Sequence, residues 1–141
     1  MRHSLYQLSK LGAVAALLLA AGCQSTGTLL SQQDETPPPQ NPGYASEIAK
    51  FNAQFPNPQA SKYEEVSLNF NNANQLDQRG NCHALSKYPV IVILVLDKDG
   101  KVSSSTADVQ SKKAQCFQNL YASVQFPSPP FAPYRKPINL K

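Results

Sequence analysis

The sequence predicts an α+β domain: a small antiparallel three-stranded sheet packed against two helices, preceded by a disordered tether. Three observations lead there. Residues 90–96, VIVILVL, are an unbroken apolar run, mostly β-branched, followed by Asp-Lys-Asp-Gly, which is strand and hairpin-turn chemistry. Two stretches, 44–55 and 111–124, place apolar residues at helical spacing. Residues 24–43 hold Pro37, Pro38, Pro39 and Pro42 without apolar periodicity, a composition that favours extended, unpacked chain.

The chain of 141 residues opens with Arg2, His3 and Lys10, then an uncharged run from Leu11 to Ala21. As a helix that run spans about 16 Å, half of a bilayer core, so it reads as a signal-peptide core rather than a membrane span. Leu18-Leu19-Ala20-Ala21-Gly22-Cys23 resembles the bacterial lipobox, although Ala20 replaces the usual larger aliphatic residue. The resemblance implies a signal peptide over 1–22, cleavage before Cys23 and acylation of that cysteine. Three acyl chains exceed the two anchors that stable membrane attachment needs. Gln24 rather than Asp follows the cysteine, which in lipoproteins of this kind favours the outer membrane, facing the periplasm. Residues 23–43 become a lipidated, Pro-rich tether and 44–141 a periplasmic domain.

In the domain, Tyr44, Ile48, Phe51 and Phe55 form an apolar stripe that Pro56 and Pro58 end. Residues 57–87 are rich in Asn and Gln; Val66, Leu68 and Phe70 alternate, which reads as a short strand or extended cover. Residues 90–96 form the first strand and 102–109 the return strand. From 111 to 124, Ala114, Phe117, Leu120, Tyr121 and Val124 share a helix face, with Ser111 as its cap and Lys112 and Lys113 solvated in the first turn. FPSPPF is a stiff connector, and 134–141 is the last strand. A strand exposed on one face alternates apolar and polar residues, but 90–96 does not. Its second face must be covered by 57–81, by a second copy of the chain in a homodimer, or by a partner.

The series VIVILVLDKDGKV, the Ser-led helix with FQNLYASV, FPSPP, the basic pair and PINLK together resemble the C-terminal domain of the TonB and TolA energy-transducing proteins, TolA more closely. Tyr44-Ala45-Ser46-Glu47-Ile48 is similar to the opening helix of the TolA domain, and Cys82 and Cys116 are comparable to its two cysteines. The resemblance covers about 43–141. It implies binding of partner segments by β-strand addition. A lipid anchor and short tether replace those proteins' inner-membrane helix and long spacer, so energy transduction does not carry over.

Composition narrows the chemistry. His83 is the only histidine after the signal, which excludes multi-histidine metal enzymes and four-ligand Cys/His zinc modules. Asp97-x-Asp99 lacks the Gly position and closing Glu of an EF-hand, so no metal is expected. With Cys23 acylated, Cys82 and Cys116 are an even pair in an oxidising compartment, read as a disulfide; a reactive Cys82 beside His83 is the rival. Neither a phosphate loop nor a nucleophile elbow occurs, no cofactor is implied, and the expected protein is not an enzyme. Without Arg2 and Lys10 the chain has 11 basic against 9 acidic groups. Residues 82–141 carry eight basic against three acidic, which favours an acidic partner. The lysines are scattered, so nucleic acid is excluded.

The function expected is therefore an outer-membrane-anchored lipoprotein acting as a non-enzymatic protein-binding or envelope adaptor module. Its membrane contact is the lipidated Cys23, and its partner an envelope protein or peptide segment. The expected binding edge is the last strand, with Tyr134, Arg135, Lys136, Ile138, Asn139, Leu140 and Lys141, and Arg135, Lys136 and Lys141 adding positive charge beside it. The rival is a pilot or assembly lipoprotein for a secretion or surface apparatus that holds a helix in an apolar groove.

Overall fold

The computed structural model describes residues 36–141. The expected signal peptide, Cys23 and the expected tether up to residue 35 lie outside the described residues. The domain is α+β: helices α1 (Tyr44–Asn52), α2 (Pro58–Ala73) and α3 (Lys112–Ala122), a 3-10 segment (Leu76–Leu85), and strands β1 (Val90–Leu96), β2 (Val102–Ala107) and β3 (Tyr134–Leu140). The sheet is antiparallel in the order β2-β1-β3. The apolar run is thus the central strand, paired on both sides.

The hairpin turn closes as its residues dictate. Asp97 Oδ1 accepts from the N–H groups of Asp99 and Lys101, and Gly100 takes φ +81°. A Cβ at Gly100 would sit 2.0 Å from the Phe126 carbonyl oxygen, so only glycine lets the connector after α3 pass there. Ser111 caps α3 by accepting from the Ala114 N–H.

Residues 57–87 are not the short strand or extended cover that alternation at Val66, Leu68 and Phe70 predicts. They form α2 and the 3-10 segment. Asn57 caps α2 through the Gln59 N–H, and Pro58 occupies the first turn, where its missing donor costs nothing. The face α2 buries is Ala60, Tyr63, Ser67 and Asn71, small or polar except for the tyrosine. Val66 and Leu68 point to solvent.

Each face of β1 has its own cover. Val90, Val92, Leu94 and Leu96 join one core with Tyr63, Leu76, Cys82, Phe117 and Tyr121, under α2, α3 and the 3-10 segment. The opposite face belongs to α1, not to 57–81. Gly43 at its start lies over Thr106, and Glu47 bonds Arg135, the cross-strand neighbour of Val95. Tyr44, Glu47, Ile48 and Phe51 are its half-buried residues. Ile93 is 0% exposed beneath it.

Polar groups tie α2 to the sheet and α3 to the segment that leads into β1. Glu64 accepts from Tyr134 Oη at 2.9 Å and from Lys136 Nζ at 2.6 Å, and Tyr134 Oη also reaches the Ala60 carbonyl. Burial, and the Glu64 charge, push the Tyr134 hydroxyl up from its ordinary value, and burial with the same carboxylate pushes Tyr63 up to about 12; both remain protonated donors. Tyr63 Oη donates to the Pro127 carbonyl. Lys113 is not a solvated lysine like Lys112. It is 2% exposed and donates to the carbonyls of Ser86 and Tyr88.

Cys82 and Cys116 are joined, S–S 2.04 Å, across 34 residues, linking the 3-10 segment to α3. His83 rests against Phe117 and the Asp77 carbonyl, and with Cys82 in the bond the reactive-thiol reading falls away. A closed loop of this length contributes roughly 4 kcal/mol in the chain-entropy account. Cys116→Ala should lower the thermal midpoint by roughly 15–25 °C. Calorimetry under non-reducing conditions checks this, and reduction of the wild type should give a matching drop.

Candidate functional site

The expected binding edge is built by the register of β3. The Ile91 N–H donates to Asp108 Oδ1, and its carbonyl accepts from the Asp108 N–H, so odd-numbered residues of β1 bond toward β2 and even-numbered ones toward β3. Opposite those even residues stand Tyr134, Lys136, Ile138 and Leu140, whose backbone groups turn inward. Arg135, Pro137 and Asn139 therefore turn theirs outward.

This register corrects the expected site. The side chains of Tyr134, Lys136, Ile138 and Leu140 are buried in the core, because every second residue of a half-covered strand faces the helices. Lys136, 4% exposed, is spent on Glu64, and Arg135 on Glu47 at 3.1 Å. The positive charge expected beside the edge reduces to Lys141. Of the residues named for the edge, Asn139 and Lys141 remain exposed.

Part of the edge is already capped. Gln54, in the corner between α1 and α2, receives the Arg135 N–H at 2.6 Å and donates to the Arg135 carbonyl at 3.0 Å. Its primary amide, 8% exposed, satisfies one outward residue as a neighbouring strand would. Pro137 offers only a carbonyl and suits an edge. The next outward groups are those of Asn139, and among the described residues no strand pairs with them. Sequence reasoning missed Gln54; an isolated glutamine after an apolar stripe carries no signal that its amide will meet a strand 81 residues away.

The other edge is partly occupied. Gln118 Nε2 donates to the Ser105 carbonyl. Beyond it, residues 39–41 pair with the end of β2: the Asn41 N–H donates to the Asp108 carbonyl and the Gln110 N–H to that of Pro39. The last residues of the expected tether are thus docked on the domain.

Two concavities bear on the site. Beside Asn139 lies a cleft of about 450 Å³ lined by Lys87, Pro89, Ile91, Asp108, Asn139 and Lys141. Between α2, the 3-10 segment and α3 lies a wider groove of about 650 Å³. Phe70, Leu76, Leu120 and Val124 supply its apolar lining, and Asn74, Arg79 and Asn119 are among its polar residues.

Glu47 and Gln54 hold α1 to β3. The Lys50 ammonium, and then Arg135, lower the Glu47 pKa, with burial opposing them. A lowered carboxylate stabilises the fold above its ordinary range and loses that contribution as pH falls through its folded value. Glu47→Gln should therefore reduce the loss of stability on acidification, measured as denaturant midpoint against pH. Gln54→Ala should cost about 1–2 kcal/mol and speed exchange of the Arg135 amide, while the Lys136 amide, bonded to β1, stays slow.

No family model, curated protein or solved structure matches this chain.

Proposed function

We propose that this chain is an outer-membrane-anchored lipoprotein, held by Cys23 and facing the periplasm. Its domain serves as a non-enzymatic envelope adaptor that takes an extended segment of another envelope protein by β-strand addition. The observation that carries the reading is the asymmetry of the sheet's edges. On the β2 side Gln118 meets the Ser105 carbonyl and residues 39–41 pair just past the strand's end, and β3 is capped at Arg135, while the groups of Asn139 face outward without a strand neighbour among the described residues. Backbone donors and acceptors in that state are a template for a further strand. The resemblance to TolA and TonB C-terminal domains, and the lipobox at Cys23, support the same reading.

The groove beside the disulfide favours the rival, a pilot or assembly lipoprotein holding a partner helix. Its apolar lining and polar surround suit a helix face. The edge is preferred because unpaired backbone groups are more specific than an open apolar groove.

A photo-crosslinking amino acid in place of Lys141 should yield an adduct with an envelope protein in living cells. Asn139→Pro, which deletes the outward N–H without touching an inward bond, should abolish that adduct while leaving the thermal midpoint within a few degrees. An adduct formed instead from a photo-crosslinker in place of Asn119, insensitive to Asn139→Pro, would transfer the site to the groove.

A further inference from the structure

The two faces of the sheet are covered with unequal firmness. On one, α2 and α3 each bury four residues, Tyr63, Phe117 and Tyr121 among them. On the other, α1 has no fully buried residue, and Ile93 and Val95 beneath it stand outside the main core. The apolar row there is narrow. The cross-strand neighbours of Ile93 and Val95 on β2 are Thr106 and Ser104, and that of Val95 on β3 is Arg135; directly opposed residues share a face of the sheet. The disulfide joins the 3-10 segment to α3 and leaves α1 outside its loop.

Helix α1 is fastened at both ends by polar contacts. Ahead of it, the Asn41 N–H donates to the Asp108 carbonyl and the Gln110 N–H to that of Pro39, both at 2.8 Å. Asn41 leads straight into the helix, its carbonyl accepting from the Tyr44 N–H and its Oδ1 from the Gly43 N–H. Toward the other end, Glu47 holds the Arg135 side chain and Gln54 the Arg135 backbone. The Phe55 ring packs on Phe51 at 4.8 Å, so Phe55 belongs to the same unit. Pro56, exposed, then separates it from Asn57, the cap of α2. Segments with few buried apolar contacts open at lower free energy than the core they cover. Lifting 39–55 releases that stretch's conformational entropy and leaves the main core intact. Gln54 moves with the lifted segment whereas Arg135 stays in the sheet, so opening strips the cap from β3.

We infer that residues 39–55 are an autoinhibitory lid on the sheet. The lid opens as one unit about Pro56, and its Gln54 holds in cis the place that a strand would take beside Arg135. Closed, it leaves the outward groups around Asn139 for a partner. Open, it adds those of Arg135 and bares Ile93 and Val95. The consequence at the edge rests on the reading of β3 as the docking site; the opening itself does not.

The test follows native-state amide exchange of the full chain, isotope-labelled in detergent micelles, at low denaturant concentrations. Three amides report on the lid: Gln110, bonded to Pro39; Ala53, bonded to Ala49; and Arg135, bonded to Gln54. Leu94 and Tyr121 report on the main core. The three lid amides should share one opening with a common denaturant dependence, on the order of 10–100-fold less protected than the core. Gln54→Ala should speed all three by the same factor, about tenfold. Ile138→Val, a main-core change, should speed Leu94 and Tyr121 several-fold and leave the lid amides unchanged. Acceleration of Arg135 alone in Gln54→Ala, or lid amides that follow the core in Ile138→Val, overturns the lid. The effect on the edge is read in living cells from the photo-crosslinker in place of Lys141, whose adduct should rise several-fold in the Gln54→Ala chain. An adduct that does not rise overturns the autoinhibitory role and leaves the β3 reading standing; no adduct from either chain overturns both.

Discussion

Seven apolar residues in a row force β1 to be covered on two faces and paired on two edges, and the rest of the domain follows from meeting that demand. Alternation would have let one face meet water; VIVILVL does not. One face collects α2, α3 and the 3-10 segment into the main core, and the other takes α1. The helical layers are held by different means. The main core is apolar and reinforced by Glu64 with Tyr134 and Lys136, by Lys113 on the carbonyls of Ser86 and Tyr88, and by the disulfide. Helix α1 has no fully buried residue and is tied to Arg135 by Glu47 and, just past its end, by Gln54.

The strands, the Asp-Gly turn, α1 and α3 were legible in the sequence because each carries a strong local signal. Examples are β-branched runs, a glycine needing positive φ, Ser111 at a cap and the stripe from Tyr44 to Phe55, although α1 ends at Asn52 and Phe55 lies exposed beyond it. Helix α2 was hidden. Its buried positions are mainly alanine, serine and asparagine, and its conspicuous residues Val66 and Leu68 face solvent, so alternation on the wrong face imitated a strand. Pro58 appeared as a stop for one helix, although it also begins the next. The candidate site was legible as a strand at the sheet's edge, but its chemistry was not. Which of Arg135, Lys136 and Asn139 faces outward depends on register, and register is set by pairing with β1. The Lys136–Glu64 pair and the Gln54 cap are contacts across 72 and 81 residues, beyond any local pattern.

Edges of small sheets are hazards unless blocked, and this domain blocks part of its own. Three devices do it: a helix side chain on β2, residues 39–41 laid beyond it, and a glutamine amide with an edge proline on β3. The stretch around Asn139, bordered by a cleft with an apolar floor, has no such device among the described residues. The proposed adaptor role rests on that stretch rather than on the resemblance alone.

The most direct measurement is pulse amide exchange on the chain in isolated cell envelopes, compared with the same chain purified in detergent. The account predicts that the Asn139 and Lys141 amides exchange more slowly in the envelope, with Arg135 unchanged. Equal rates at those two amides in both preparations, or slowing confined to residues bordering the groove beside the disulfide, would contradict it.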